Sequence, residues 1–169
     1  MKKSEQTKRV FMAAFKSLLE EKSFQKINVS DISVRTGVSR KSFYYHYRDK
    51  YDLLTDIFYR EFLMHHEEDH HKDWMKNLCD YFYEHRDFYS KVMEYEGQNS
   101  FFEFMGSCIS ARLLEHTPVT EKEKLCAAML SDGMMAMVKR WLTQEHTLPP
   151  DEFFGALQFA ARQAYTLWA

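Results

Sequence analysis

The stretch Asn28-Val-Ser-Asp-Ile-Ser-Val-Arg-Thr-Gly-Val-Ser-Arg-Lys-Ser-Phe-Tyr-Tyr-His-Tyr-Arg-Asp-Lys-Tyr-Asp-Leu-Leu54 decides the reading of this chain. Asn28 is a strong N-cap, because its side-chain oxygen accepts from first-turn amides. Asp31, three residues on, completes a capping-box pattern and puts negative charge at the positive end of the helix. Gly37 predicts the stop, since glycine enters the left-handed conformation without a Cβ clash. After Val38, Ser39 repeats the capping signal for a helix from Arg40 to about Tyr47, and Asp49 caps the next. Two short helices joined by a glycine-containing turn form a helix-turn-helix pattern. Ile32, Val38 and Phe43 are spaced to pack the pair together.

Helical periodicity extends in both directions. Upstream, Phe11, Ala14, Phe15 and Leu18 form one apolar stripe on a helix over Lys8–Glu21, with Ser23-Phe24-Gln25 as its exit. Downstream, Tyr51, Leu54, Phe58 and Phe62 keep helical spacing until the polar run His65–His71, which predicts a bend. Helices follow over Trp74–His85 and Asp87–Tyr95, then a break at Gly97-Gln98-Asn99. Ser100 with Glu103 opens a helix to about Glu115, and Thr117-Pro118 breaks it. Thr120 with Glu123 opens another to about Gln144, and Pro149-Pro150 precedes a last helix over Asp151–Trp168. With only 5 Gly and 3 Pro, the 169 residues lack the turns a sandwich or barrel requires. The expectation is an all-α chain of about nine helices. Residues 1–50 read as a three-helix helix-turn-helix domain, and residues 51–169 as a further helical domain.

Net charge is -2, but its distribution is uneven. Residues 1–60 hold 13 basic and 7 acidic side chains, while the remainder is strongly acidic. A basic front on an acidic body suits a polyanion met at one end only. Hydrophobic residues at 45% and charged residues at 28% argue against disorder. No apolar run reaches the length of a membrane span, and Ser4-Glu5-Gln6-Thr7 stands where a signal peptide turns apolar. Cys79, Cys108 and Cys126, odd in number and without C-x-x-C spacing, fit reduced thiols in a cytoplasm. No phosphate-cradling glycine loop, nucleophile elbow or H-E-x-x-H motif is present, so no enzymatic activity and no cofactor is expected.

The run from Asn28 to Leu54, within a gapless match from Thr7 to Ile57, resembles the DNA-binding signature of the TetR/AcrR family of bacterial transcriptional regulators. The aromatic-rich segment Tyr81–Tyr89 and Gly133-Met-Met-Ala-Met-Val138 are similar to a subgroup that includes activators of dihydroxyacetone-utilisation genes. The resemblance implies double-stranded operator DNA as partner, with the third helix in the major groove. Arg40, Lys41 and Tyr45 are then the base-reading candidates. Arginine reads guanine through two parallel bonds, and a tyrosine ring suits a thymine methyl. Ser39, Ser42, Tyr44, His46 and Lys50 carry donors for phosphate oxygens. Lys41 departs from the family, where many members have a small residue or proline, so operator preference does not carry over. Tyr47 reads instead as a packing position.

The resemblance also implies a homodimer paired through the last two helices. Met129, Gly133, Met137 and Trp141 supply one candidate face, and Phe153, Leu157, Ala161, Ala164 and Trp168 the other. A repressor released by a small-molecule inducer is the expected mode. The alternative is an adaptor or co-activator controlled by a protein partner. Candidate inducer-pocket residues are Met75, Phe82, Phe88, Tyr89, Met93, Phe101, Phe102, Phe104 and Met105. They read equally as an aromatic core. His66 and His70, one turn apart, have metal-ligand spacing, but a polar connector accounts for them and no metal is expected.

Overall fold

The computed structural model describes residues 3–94, 101–115, 120–145 and 147–168. Among these residues lie nine α-helices and no strand. They are α1 (Lys3–Glu21), α2 (Val29–Thr36), α3 (Arg40–His46), α4 (Lys50–Glu61), α5 (His71–Glu84), α6 (Arg86–Met93), α7 (Phe101–Leu114), α8 (Glu121–Thr143) and α9 (Pro150–Trp168). Short 3-10 turns at Phe24–Lys26 and Leu63–His65 follow α1 and α4. The architecture is the expected one, an N-terminal helix-turn-helix head on a helical body.

Local chemistry sets most boundaries. Asn28 and Asp31 form a reciprocal capping box, with Asp31 N donating to Asn28 Oδ1 at 3.0 Å and Asn28 N to Asp31 Oδ2 at 2.8 Å. Gly37 closes α2 at φ 68°, a conformation that strains any residue with a Cβ. Asp49 caps α4 by accepting from Tyr51 N and Asp52 N. Thr120 and Glu123 form the second capping box, at the start of α8. The expected cap at Ser100 and the breaks at Gly97–Asn99 and Thr117-Pro118 lie outside the described residues.

Two helices start several residues earlier than expected. Helix α1 begins at Lys3 rather than Lys8, because Glu5 in its first turn is bound by Arg60 of α4 at 2.7 Å. Helix α5 begins at His71 rather than Trp74. The bend before it is organised by Arg112 of α7, whose guanidinium donates to the carbonyls of His66, Glu67 and Asp69 and lies over the Trp74 ring. His66 is engaged too, with Nδ1 2.7 Å from Asp69 Oδ2 and its ring stacked on Phe62. No group of three or more metal-ligating side chains forms among the described residues.

One apolar core runs from Phe11 in the head to Leu157 in α9. Helix α4 joins the two ends. Its Leu53, Leu54 and Ile57 are buried, and Phe58 meets Tyr81, Phe82, Tyr89 and Phe101 of the body. Burying such a ring stabilises the fold by about 1.5–3 kcal/mol.

The expected pairing faces divide. Trp141, Phe153 and Leu157 are buried within the chain. Trp141 stacks on Phe153 with centroids 4.1 Å apart, and its indole N–H donates to Leu148 O at 2.9 Å. These three residues are therefore intrachain core, because α9 folds back onto α5 and sets Phe153 against Trp141 of α8. Met129, Gly133 and Ala161 are exposed, and Met137 is half-buried. The side chains of Ala164 and Trp168 lie outside the described set.

Candidate nucleic-acid interface

Side-chain hydrogen bonds and buried rings hold the turn between α2 and α3. Thr36 Oγ1 donates to Ile32 O at 2.9 Å and accepts from Val38 N at 3.1 Å. Ser39 Oγ accepts from Ser42 N at 3.2 Å and so caps α3. Ile32 and Phe43 are fully buried, and Phe43 meets Phe11 edge-on at 5.3 Å. A seven-residue helix cannot hold itself in water; this packing holds α3.

With Phe43 and Tyr47 turned inward, the opposite face of α3 is fixed by periodicity. Arg40, Lys41, Tyr44 and Tyr45 lie on the exposed side, with Tyr45 82% exposed. Ser39 is exposed, and Ser42 and His46 are half-buried at the edges. Large exposed aromatic rings are costly unless a partner covers them. Arg40 and Lys41 make no ion pair with any described carboxylate, although they sit in the first turn of α3. Other cations of the stretch are committed. Arg35 is bound by Glu21 and Ser17, and Arg48 pairs with Asp52.

Lys50 differs from its expected placement as a cation offered to phosphate. Its ammonium turns inward, donating to the carbonyls of Phe24 at 2.7 Å, Gln25 at 3.1 Å and Ile27 at 2.8 Å. Burial lowers its pKa, against the opposing pull of Asp31 and Asp49.

Periodicity in α3 and α4 does not reveal a hub behind the exposed face of α3. Asp56 of α4 accepts from Tyr47 Oη at 2.8 Å, Arg60 Nε at 2.8 Å and Lys8 Nζ at 3.2 Å. Burial pushes its carboxyl up, but these three donors outweigh burial and hold it below the usual aspartate range. Tyr47 is raised, first by burial and then by Asp56. The only sequence signal was Tyr47 itself, a polar-tipped ring at an apolar position.

Among the described residues, the nine expected pocket residues belong to the packed core or lie against it. Phe82, Tyr89 and Phe101 pack ring on ring, with Tyr89 centroids 4.9 Å from Phe82 and 5.2 Å from Phe101. Met93 and Met105 are buried in the same core, and Met75, Phe102, Phe88 and Phe104 pack against it. Aromatic and methionine side chains fill space as readily as they line it, so this is core first. Phe88 and Tyr89 do reach a cleft of about 510 Å³ between α1 and the start of α6, together with Lys16, Glu61, Tyr83 and Arg86. Phe104 borders two shallower depressions beside α4.

Two family models match the chain. One, described as bacterial regulatory proteins of the tetR family, matches residues 11–57. The other, described as a transcriptional regulator C-terminal region, matches residues 69–162. The HTH-type dhaKLM operon transcriptional activator DhaS of Lactococcus lactis subsp. lactis (strain IL1403) is 32% identical over an alignment of 97 residues that covers 54% of this chain. The match spans about half (51%) of that relative's length. Two solved structures share the fold, each at TM-score 0.65. A dihydroxyacetone kinase operon activator DhaS is 17% identical, with 95% of this chain and 97% of that one covered. A TetR transcriptional regulator from Streptococcus agalactiae 2603V is 22% identical, with 91% and 92% covered.

Proposed function

We propose, for a chain that belongs to the TetR family of transcriptional regulators, that it acts as a homodimer setting two copies of α3 in major grooves of one operator. The exposed face of α3, with Arg40 and Lys41 unpaired among the described residues, carries this reading. Arg40, Lys41 and Tyr45 read base edges, while Ser39, Ser42, Tyr44 and His46 hold phosphates. Residues 1–50 serve as the reading head, and residues 51–169 as the body for control and dimerisation. Met129, Gly133 and Ala161 mark the pairing surface, since they are exposed on α8 and α9.

Activation is the sign this reading takes, in place of the repression expected from sequence. One similar protein is named an activator of the dhaKLM operon and another an activator of a dihydroxyacetone kinase operon. In vitro transcription from the promoter of its own gene region tests the sign. Added protein raises transcript for an activator and lowers it for a repressor. Control by a protein partner is a second reading beside the small-molecule inducer, supported by the ring-on-ring filling of the body. A metabolite that raises the melting temperature at saturating concentration would favour the inducer instead.

A further inference from the structure

We infer that Lys50 is a positioning residue, which clamps the α1–α2 corner onto α4 and so sets the tilt of α3, rather than a cation that grips phosphate. An ammonium has three N–H donors and no acceptor. Here three carbonyls, those of Phe24, Gln25 and Ile27, take them within 3.1 Å. The Phe24 ring faces the same ammonium at 4.5 Å, and the Tyr51 ring lies at 5.6 Å. A phosphate oxygen could be served only by giving up one of these bonds.

The position of the clamp gives it its effect. The carbonyls belong to the 3-10 turn Phe24–Lys26 and its exit, one residue before the Asn28 cap of α2. From Asn28 the chain is stiff through the capping box, Gly37 and the Ser39 cap into α3. Lys50 is the first residue of α4, the helix whose Phe58 is embedded in the body. The ammonium therefore joins the body-linked helix to the corner from which the reading helix is hung. A shift of this corner against α4 moves α3 as a unit.

The role rests on the DNA-binding reading for one of its two tests and is independent of it for the other. Lys50→Met keeps an unbranched stem and removes all three donors. Amide hydrogen exchange, measured well below the melting transition, reads the clamp without DNA. The expected result is faster exchange across residues 27–36 in the variant, with the α8 amides unchanged. Affinity is then read on a duplex selected by the wild-type protein from a randomised pool, and on poly(dI-dC), across a salt series. Lys50→Met is expected to weaken the selected duplex by about tenfold. Poly(dI-dC) binding should change little, and the slope of log affinity on log salt should stay the same. Lys50→Arg, which retains donors, should recover part of the loss. Unchanged exchange with a salt slope shallower by about one would identify a phosphate contact and overturn the clamp. Equal loss on both DNAs would reduce Lys50 to a stability residue and overturn its positioning role. If Lys50→Met does not fold, Lys50→Gln takes its place in the same measurements. Failure of the wild type to select any duplex would count against the regulator reading, and the exchange result would still decide the clamp.

Discussion

The hydroxyl of Tyr47, the residue that closes α3, donates to Oδ2 of Asp56 on α4 at 2.8 Å. The same carboxylate accepts from Lys8 of α1 and Arg60 of α4, and Arg60 in turn binds Glu5 of α1. One acidic side chain thus ties the end of α3 to α1 and α4. Tyr47→Phe removes the link without opening a cavity. It is expected to cost about 1–2 kcal/mol, since Asp56 keeps two other donors. For a chain of this size that lowers the melting temperature by about 2–8 °C, read by circular dichroism. An unchanged melting temperature would show that the bond carries no net stability.

Acid should attack the same hub. Asp56 has a folded pKa below its ordinary value because its three donors outweigh the burial that pushes the other way. Asp31 is held low by Lys22 and by the Asn28 amide. A depressed carboxyl stabilises the fold above its unfolded pKa, and that contribution is lost as pH falls through about 4 toward the folded value. Chemical denaturation at a series of pH values should therefore show stability dropping on this acid limb. Asp56→Asn is expected to cost about 2–3 kcal/mol at neutral pH and to flatten the limb. An equally steep limb in the variant would remove Asp56 from the account.

The division of the α8 face between core and exposed residues is open to a direct comparison. Met129 is 66% exposed on α8, whereas Trp141 is buried against Phe153. Met129→Lys should convert dimer to monomer in light scattering with little change in helicity. Trp141→Ala should cost about 3–5 kcal/mol in the fold itself, as a deleted buried ring does. A Met129→Lys protein that stays fully dimeric would move the interface elsewhere.

The thiols should differ in reactivity. Burial pushes Cys79 up to about 12 and Cys108 to about 11, while Cys126 is exposed. Alkylation of the native protein near pH 8, followed by mass spectrometry, should label Cys126 first and Cys79 last. Early labelling of Cys79 would contradict the packing of α5.

What could be read from the sequence was what local chemistry decides. Asn28 with Asp31, Gly37, Ser39, Asp49 and Thr120 with Glu123 act on amides within a few residues, so spacing alone exposes them. That Arg40, Lys41 and Tyr45 stand exposed on α3 follows from helical periodicity once Phe43 is buried on the other side. Lys50 was not, since its carbonyl partners lie 23 to 26 residues back along the chain. The Arg60–Glu5 pair, 55 residues apart, was equally hidden. Trp141, Phe153 and Leu157 show a further limit. An apolar stripe at helical spacing looks the same whether it meets its own chain or a second copy. The aromatic residues of the body carried the same ambiguity between wall and filling, and only packing resolves it.

Sequence-specific DNA binding through the face of α3 can be measured directly. Affinity for the DNA upstream of its own gene is compared with affinity for a scrambled duplex across a salt series, for the wild type and for Arg40→Ala. The account expects the wild type to prefer the upstream DNA at every salt concentration, with both affinities falling as salt rises. Arg40→Ala should lose about 1–3 kcal/mol of that preference while binding scrambled DNA nearly as well as before. Equal wild-type binding to both duplexes at all salt concentrations, untouched by Arg40→Ala, would contradict it.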